Sequence, residues 1–258
     1  MTHLWLSLAF GALIGLSLGL VGGGGSILTV PILVYAIGQP VHAATTTSLA
    51  IVGLNALTGM AGHARVGNVQ ARLGLLFGGA GILGAFLGSW LNSRVSGPLL
   101  LALFALVMLA AAIGMLRRRA AEGGEHGVIP PIEGVRGGAK LIATGAGVGL
   151  MTGFFGVGGG FVIVPALVLV LGLPMRAAVG TSLLIIAINS ASGLLAHLRY
   201  GALDLGITAL FVAGGVVGVL GGVRLSGRLP QRRLTQTFAT MIILVATYVL
   251  YRSYTALA

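Results

Sequence analysis

Two glycine runs stand where backbone, rather than side chains, could do chemistry: Gly22-Gly23-Gly24-Gly25-Ser26 and Gly156-Val157-Gly158-Gly159-Gly160. Each leads into a short apolar stretch that ends on a proline, Pro31 or Pro165. Glycine permits a sharp turn and lets a neighbouring backbone or a ligand come close. A helix beginning just after such a turn offers free N–H groups and the positive end of its dipole, which together suit an anion. In hydrocarbon, unwound backbone is tolerated only where protein or a water-filled cavity satisfies it. Interrupted segments at matching places in two halves therefore point to a transporter's substrate site. No Lys-Ser or Lys-Thr follows either run, which excludes a Walker-type phosphate loop. Close packing by small residues is the competing reading, and it accounts for scattered glycines such as Gly78, Gly79, Gly81, Gly84 and Gly88.

Thr47-Ser48 with Asn55, and Thr181-Ser182 with Asn189, form the second constellation. Positions seven apart nearly superimpose on a helix face, so Ser48 and Asn55 share a polar stripe, as do Ser182 and Asn189. Such hydroxyls and amides could replace part of an anion's hydration without a fixed counter-charge. They could equally bond neighbouring helices, at about half to 2 kcal/mol each. His63-x-Arg65 and His197-x-Arg199 lie two turns beyond each asparagine. Snorkelling arginines and satisfied histidines explain these pairs blandly; the sharper reading has each pair line one entrance and attract an anion. Only Asp204 among the acids lies near a span end, which speaks against coupling through a buried Asp or Glu. The histidines are too dispersed for a metal site, and the residues imply no cofactor.

Elements of a particular kind must position these residues. The chain has 258 residues, 57% hydrophobic and 7% charged, with no cysteine. A soluble domain carries about a quarter charged residues, so cytosolic enzymes, extracellular modules and disulfide scaffolds are excluded. An intramembrane enzyme finds no paired carboxylates and no nucleophile–base pair. The net charge of +11 comes from cations at the ends of apolar runs, which sets topology and argues against nucleic acid. Ten apolar runs stand out: 4–21, 27–37, 43–61, 73–91, 99–116, 141–155, 161–171, 177–195, 205–223 and 234–250. Most approach the roughly 20 residues of a spanning helix. The expectation is an all-α polytopic membrane protein.

The halves are repeats. At an offset of 134, residues 22–67 match 156–201 at 20 of 46 positions without a gap, including both glycine runs, both Thr-Ser pairs and both asparagines. Biased composition alone gives about a tenth. Residues 1–116 and 141–258 are read as the two transmembrane repeats, with 117–140 a cytoplasmic linker. If each short run returns separately, each repeat has about five helical segments, broken or re-entrant at the glycines, and the repeats are inverted. Cations then divide 12 to 3, with only Arg94, Arg199 and Arg252 on the minority side; parallel repeats give 9 to 6. The positive-inside rule favours inversion, with both termini outside.

At these motifs the chain resembles the sulfite exporter TauE/SafE family, also called TSUP, along essentially its whole length. The resemblance implies a multi-pass permease of a bacterial or archaeal inner membrane that moves small sulfur-containing anions, sulfite or organosulfonates, with export as the leading direction. It leaves room for oligomerisation. The expected substrate-binding set is Gly22, Gly23, Gly24, Gly25, Ser26, Thr47, Ser48 and Asn55 with Gly156, Gly158, Gly159, Gly160, Thr181, Ser182 and Asn189; His63, Arg65, His197 and Arg199 are the expected entrance residues. The alternatives are a permease for another small anion, or a membrane scaffold or assembly factor without a substrate. Val157 interrupts the second run and Gly160 stands where the first has Ser26, so the two half-sites are not equivalent.

Overall fold

The computed structural model describes residues 2–92, 94, 97–121, 134–155, 160–197 and 203–257. These form ten α-helices and no strand: α1 (Thr2–Val21), α2 (Gly24–Pro31), α3 (Val41–Arg65), α4 (Ala71–Asn92), α5 (Gly97–Ala121), α6 (Gly134–Phe155), α7 (Gly160–Pro165), α8 (Met175–His197), α9 (Leu205–Arg228) and α10 (Gln231–Leu257). Each apolar run of the sequence became one helix. Helices α5 and α6 also take in Arg117–Arg119 and Arg136–Lys140, and residues 122–133 of the expected linker lie outside the described residues. The segments Ala71–Gly88, Met175–Leu195 and Leu205–Arg228 are long and apolar enough to cross a bilayer. Large apolar side chains such as Leu83, Phe86, Val217 and Leu244 face outward, as a lipid-immersed protein requires. At the end of α4 the Arg94 guanidinium lies 4.4 Å from the centre of the Trp90 ring, an interfacial anchor.

The repeat is visible element by element. Counterparts begin 134 residues apart: α3 at Val41 and α8 at Met175, α4 at Ala71 and α9 at Leu205, α5 at Gly97 and α10 at Gln231. Even a local irregularity is duplicated. Proline lacks an N–H and its ring displaces the carbonyl four residues back. After Pro31 and Pro165 the helix widens into π-helical turns, Ile32–Ala36 and Ala166–Val170. These close through Ile37 N–H to Ile32 O (3.1 Å) and Leu171 N–H to Ala166 O (3.2 Å). The chain then reverses through Gly38 and Gly172, at φ +80° and +77°, a conformation that costs glycine nothing. Pro40 and Pro174 stop any continuation and start the next helix.

The packing partners cross between halves. Helix α1 lies on α9, and α4 on α6, as two glycine seams with backbone against backbone. A Cβ at Gly11 would strike the Phe211 backbone, one at Gly15 the Gly215 backbone, and one at Gly19 the Val219 backbone. Both numbers rise together, so α1 and α9 run parallel. The equivalent seam sets Gly145 on Phe77, Gly149 on Gly81 and Gly153 on Ala85. Between the seams, α3 crosses its own counterpart α8. Gly53 sits by Ser190 and Gly59 by Leu183, while Gly193 sits by Leu49; one number rises as the other falls, so these equivalent helices run antiparallel. The short helices α2 and α7 are enclosed by the long ones, with Gly160–Pro165 fully buried.

Candidate substrate site

Helix α1 ends at Val21, and Gly22 turns the chain with φ +78°. A side chain there would collide with Ser182 Oγ of α8. Gly23, at the start of α2, has no side-chain cap, so the first-turn N–H groups of α2 lack the partner such donors usually find in a cap. A Cβ on Gly23 would strike the Gly160 carbonyl, and one on Gly160 would strike Ser26 Oγ and lie 2.9 Å from the Gly23 carbonyl oxygen. The glycines that start α2 and α7 therefore touch, each helix belonging to a different half. Ser26 donates to Gly23 O (2.7 Å), Thr29 to Gly25 O (2.9 Å) and Ser182 to Val179 O (2.8 Å). These hydroxyl protons are committed to local carbonyls, which leaves the uncapped N–H groups as the donors of the turn.

The structure thus brings together Gly22, Gly23, Gly24, Gly25, Ser26, Gly160 and Ser182. Gly156, Gly158 and Gly159 lie outside the described residues. Ser48, on α3, is buried. The threonines differ although their residue type is duplicated. Thr181 Oγ1 accepts the backbone N–H of Gln70 at 3.0 Å, whereas Thr47 Oγ1 is buried without a partner. The residue 134 after Gln70 is Asp204, which is engaged elsewhere: its carboxylate caps α9 by accepting Ile207 N–H at 2.9 Å.

Both asparagines face glycines. Asn55 is 0% exposed, yet neither Nδ2 nor Oδ1 has a hydrogen-bond partner. Its amide lies on Gly215 of α9, where an added Cβ would overlap Oδ1 and Nδ2. Asn189 Oδ1 is likewise unpartnered and lies 3.8 Å from where a Cβ on Gly81 of α4 would stand. Gly81 and Gly215 are separated by the repeat offset, and so are the glycines they meet across the seams, Gly15 and Gly149. The sequence reading assigned Gly81 to packing and passed over Gly15, Gly149 and Gly215; their recurrence at the repeat offset was the available signal.

His63 is buried at the end of α3. Its Nε2 lies 2.9 Å from Gly19 O, and because a carbonyl only accepts, Nε2 carries the proton. Nδ1 lies 3.4 Å from Asn68 Nδ2. The ring thereby ties the last turn of α1, just before Gly22, to the α3–α4 connection. Arg65 is exposed one turn-edge beyond. His197 is the last residue of α8, and Arg199 lies outside the described residues.

Charge is kept out of the interior. Among the described residues, Arg65, Arg72, Arg94, Arg117, Lys140, Asp204, Arg224, Arg228, Arg232 and Arg233 are all exposed. Arg176 is partly enclosed at the start of α8, and its NH2 group bonds Leu229 O (2.9 Å) and Gly227 O (3.4 Å) at the end of α9. The buried polar side chains are Ser, Thr, Asn and His63.

Comparison with known proteins agrees with this architecture. The family model "Sulfite exporter TauE/SafE" matches residues 7–249. A "Probable membrane transporter protein" of Xylella fastidiosa is 39% identical over 260 residues, covering 98% of this chain and 97% of that protein. The "Probable membrane transporter protein YdhB" of Bacillus subtilis is 30% identical over 219 residues, 85% of this chain and 89% of its own. A "Probable membrane transporter protein" of Methanocaldococcus jannaschii is 27% identical over 199 residues, 75% and 72% of the two chains. No solved structure matches. With a family match along nearly its whole length, and relatives that are membrane transporters by name, this multi-pass membrane protein belongs to the sulfite exporter TauE/SafE family.

Proposed function

We propose that this transporter carries small sulfur-containing oxyanions, sulfite or organosulfonates, outward across the inner membrane by alternating access. One observation carries the reading: Asn55 is fully buried against Gly215 of α9, with both polar atoms of its amide unpartnered. A buried polar group left unsatisfied costs about 1–3 kcal/mol. Retaining such an amide is reasonable if a ligand completes its bonds during the cycle. The anion is held by the uncapped N–H groups of α2 and received by Asn55, Asn189, Thr47, Ser48, Thr181 and Ser182 as the halves shift. Family resemblance supplies the sulfur chemistry; the neutral, donor-rich interior is compatible with it.

Two inverted repeats, residues 1–116 and 141–258, fit the antiparallel crossing of α3 with α8 and the 12-to-3 division of cations, which puts the linker in the cytoplasm. The backbone seams α1–α9 and α4–α6 travel as units, so the moving parts each draw on both repeats. Arg65 and, by repetition, Arg199 attract the anion at the two entrances, while His63 and His197 secure the helix ends behind them. The test is flux of sulfite and a sulfonate from proteoliposomes, beside thermal stabilisation of the purified protein by the same anions. Saturable flux that falls in the Asn55→Ala variant supports the reading. Neither flux nor stabilisation would leave it without support.

A further inference from the structure

We propose that the α3–α4 connection, residues 66–70, is a gate over one face of the transporter, and that Thr181 is its catch. This rests on the alternating-access reading above and names what holds one side shut. Gly67 takes φ +74° and Asn68 N–H returns to His63 O at 3.0 Å, so the connection folds back from the end of α3. It is seated on the first turns of α8, backbone to backbone. A Cβ on Gly180 would stand 2.5 Å from Asn68 O and 3.1 Å from His63 Cβ. Beside that contact, Gln70 donates its backbone N–H to Thr181 Oγ1 at 3.0 Å. Gln70 immediately precedes α4, whose own carbonyls cannot satisfy this donor; Thr181 is the acceptor it finds when the connection is seated.

The turn at Gly22 lies next to this seat. Gly22 stands against Val179 and Ser182, the residues that flank Gly180 and Thr181 on α8, and His63 ties the connection to Gly19 O just before the turn. An anion leaving Gly22 toward the face that carries Arg65 and Arg72 would meet the connection. The second half has the residue types without the tie. Thr47 Oγ1, counterpart of Thr181, is buried and unpartnered, while Asp204, counterpart of Gln70, caps α9 with its carboxylate. The counterpart of Gly180 is Thr46, which is buried and whose side chain denies a backbone the approach that Asn68 makes. Among the described residues, the seat and its hydrogen bond therefore occur at one face.

The experiment labels a single Ser182→Cys in the full chain, otherwise free of cysteine, with an impermeant thiol reagent in membrane vesicles of each orientation. Val66→Cys, at an exposed position on the connection, marks the orientation that presents this face. From this face, Thr181→Val should speed labelling about fivefold, the worth of one neutral hydrogen bond. Gly180→Ala unseats the backbone and should speed it more. Thr181→Ser keeps the acceptor and should label at the parent's rate, and labelling from the opposite face should not rise. Labelling that stays at the parent's rate in both variants, rises alike from both faces, or rises equally in Thr181→Ser overturns the gate. Where Gly180→Ala fails to fold, Thr181→Val against Thr181→Ser decides. Sulfite flux of the parent in proteoliposomes tests the transport reading separately. Flux with unmoved labelling leaves transport standing without this gate; faster labelling without sulfite flux leaves the gate standing and overturns the substrate.

Discussion

Alanine in place of Gly215 should destabilise this protein, whereas alanine in place of its repeat counterpart Gly81 should not. At Gly215 the new Cβ would stand 2.5 Å from Asn55 Oδ1 and 2.6 Å from Asn55 Cγ, and closer still to Nδ2. No real Cβ is found at such distances, and Asn55 is enclosed on all sides. At Gly81 the nearest atoms are Gly145 O at 3.5 Å and Asn189 Oδ1 at 3.8 Å, which is ordinary contact. Both glycines are helical, so the gain in helix propensity, up to about 1 kcal/mol, is common to the two variants and cancels between them. What remains is the clash, about 1–3 kcal/mol for forced overpacking. At about 2–4 °C per kcal/mol for a chain near this size, the two variants should melt several degrees apart. Asn55→Ala supplies the control. Removing the amide removes the clash, so Gly215→Ala in that background should behave as Gly81→Ala does, a coupling that a double-mutant cycle measures. Because the amide has no partner, Asn55→Ala alone should leave melting nearly unchanged while lowering sulfite flux at least about tenfold, the loss of one hydrogen bond to a charged ligand. The measurements are thermal melting in detergent and flux in proteoliposomes. Equal melting of the two glycine variants, or an undiminished Gly215→Ala defect in the Asn55→Ala background, would refute the reasoning.

Other consequences can be checked in the same preparations. Ser48→Ala with Ser182→Ala should weaken sulfite flux with folding intact; unchanged flux removes these serines from the site. His63→Phe keeps a ring but loses the bond to Gly19 O, so melting should fall by an amount corresponding to about 1 kcal/mol, and unaltered melting would show that the tie is idle. Because the chain has no cysteine, a single Gly127→Cys can be probed with an impermeant thiol reagent, and labelling from outside intact cells would overturn the cytoplasmic linker. A disulfide between Gly53→Cys and Ser190→Cys, whose Cβ atoms would stand 3.1 Å apart, should stop transport, while bridging Leu16→Cys to Gly221→Cys across the α1–α9 seam should not; the reverse pattern would show that the seam, and not the crossing, is what moves.

The sequence revealed the helices well because hydropathy and length decide them. The ten apolar runs became the ten helices, and the two prolines marked both π turns. The ends were less legible. Arginine is a good helix former, and outside lipid its charge carries no penalty, so α5 continues through Arg117–Arg119 to Ala121. The site was legible in part. The glycine turn at Gly22 could be found because it breaks a helix, and Ser182 does lie against Gly22. The surroundings of Asn55 could not be read from α3 alone. They depend on α1 of one half packing on α9 of the other, and hydropathy does not encode that exchange. The two threonines make the same point. Thr47 and Thr181 are identical in type and register, but Gln70 leaves its backbone N–H for Thr181 while Asp204, its counterpart, heads its own helix with its side chain.

The two kinds of helix contact also say where motion is cheapest. In the α1–α9 seam, glycines 11, 15 and 19 of α1 meet Phe211, Gly215 and Val219, and glycines 214, 218 and 222 of α9 meet Leu8, Ala12 and Leu16, so closely that backbone rests on backbone. Sliding such a seam would drive carbonyls against Cα atoms at every turn, a barrier set by main chain that cannot rotate away. At the crossing of α3 and α8 the contacts are made by side chains: Leu183 on Gly59, Leu49 on Gly193 and Ser190 on Gly53. Side chains can change rotamer, and packed surfaces of this kind switch between discrete arrangements at modest cost. The asparagines lie on the crossing helices, each amide directed at a seam glycine of the other half, Asn55 at Gly215 and Asn189 at Gly81. A shift of α3 along α8 would therefore carry Asn55 off Gly215, while keeping α1 fixed to α9. On the alternating-access proposal, the movement that frees the amide would also alter the environment of Ser182 and Gly22, and so would link the bonds an anion makes to the side of the membrane it leaves from.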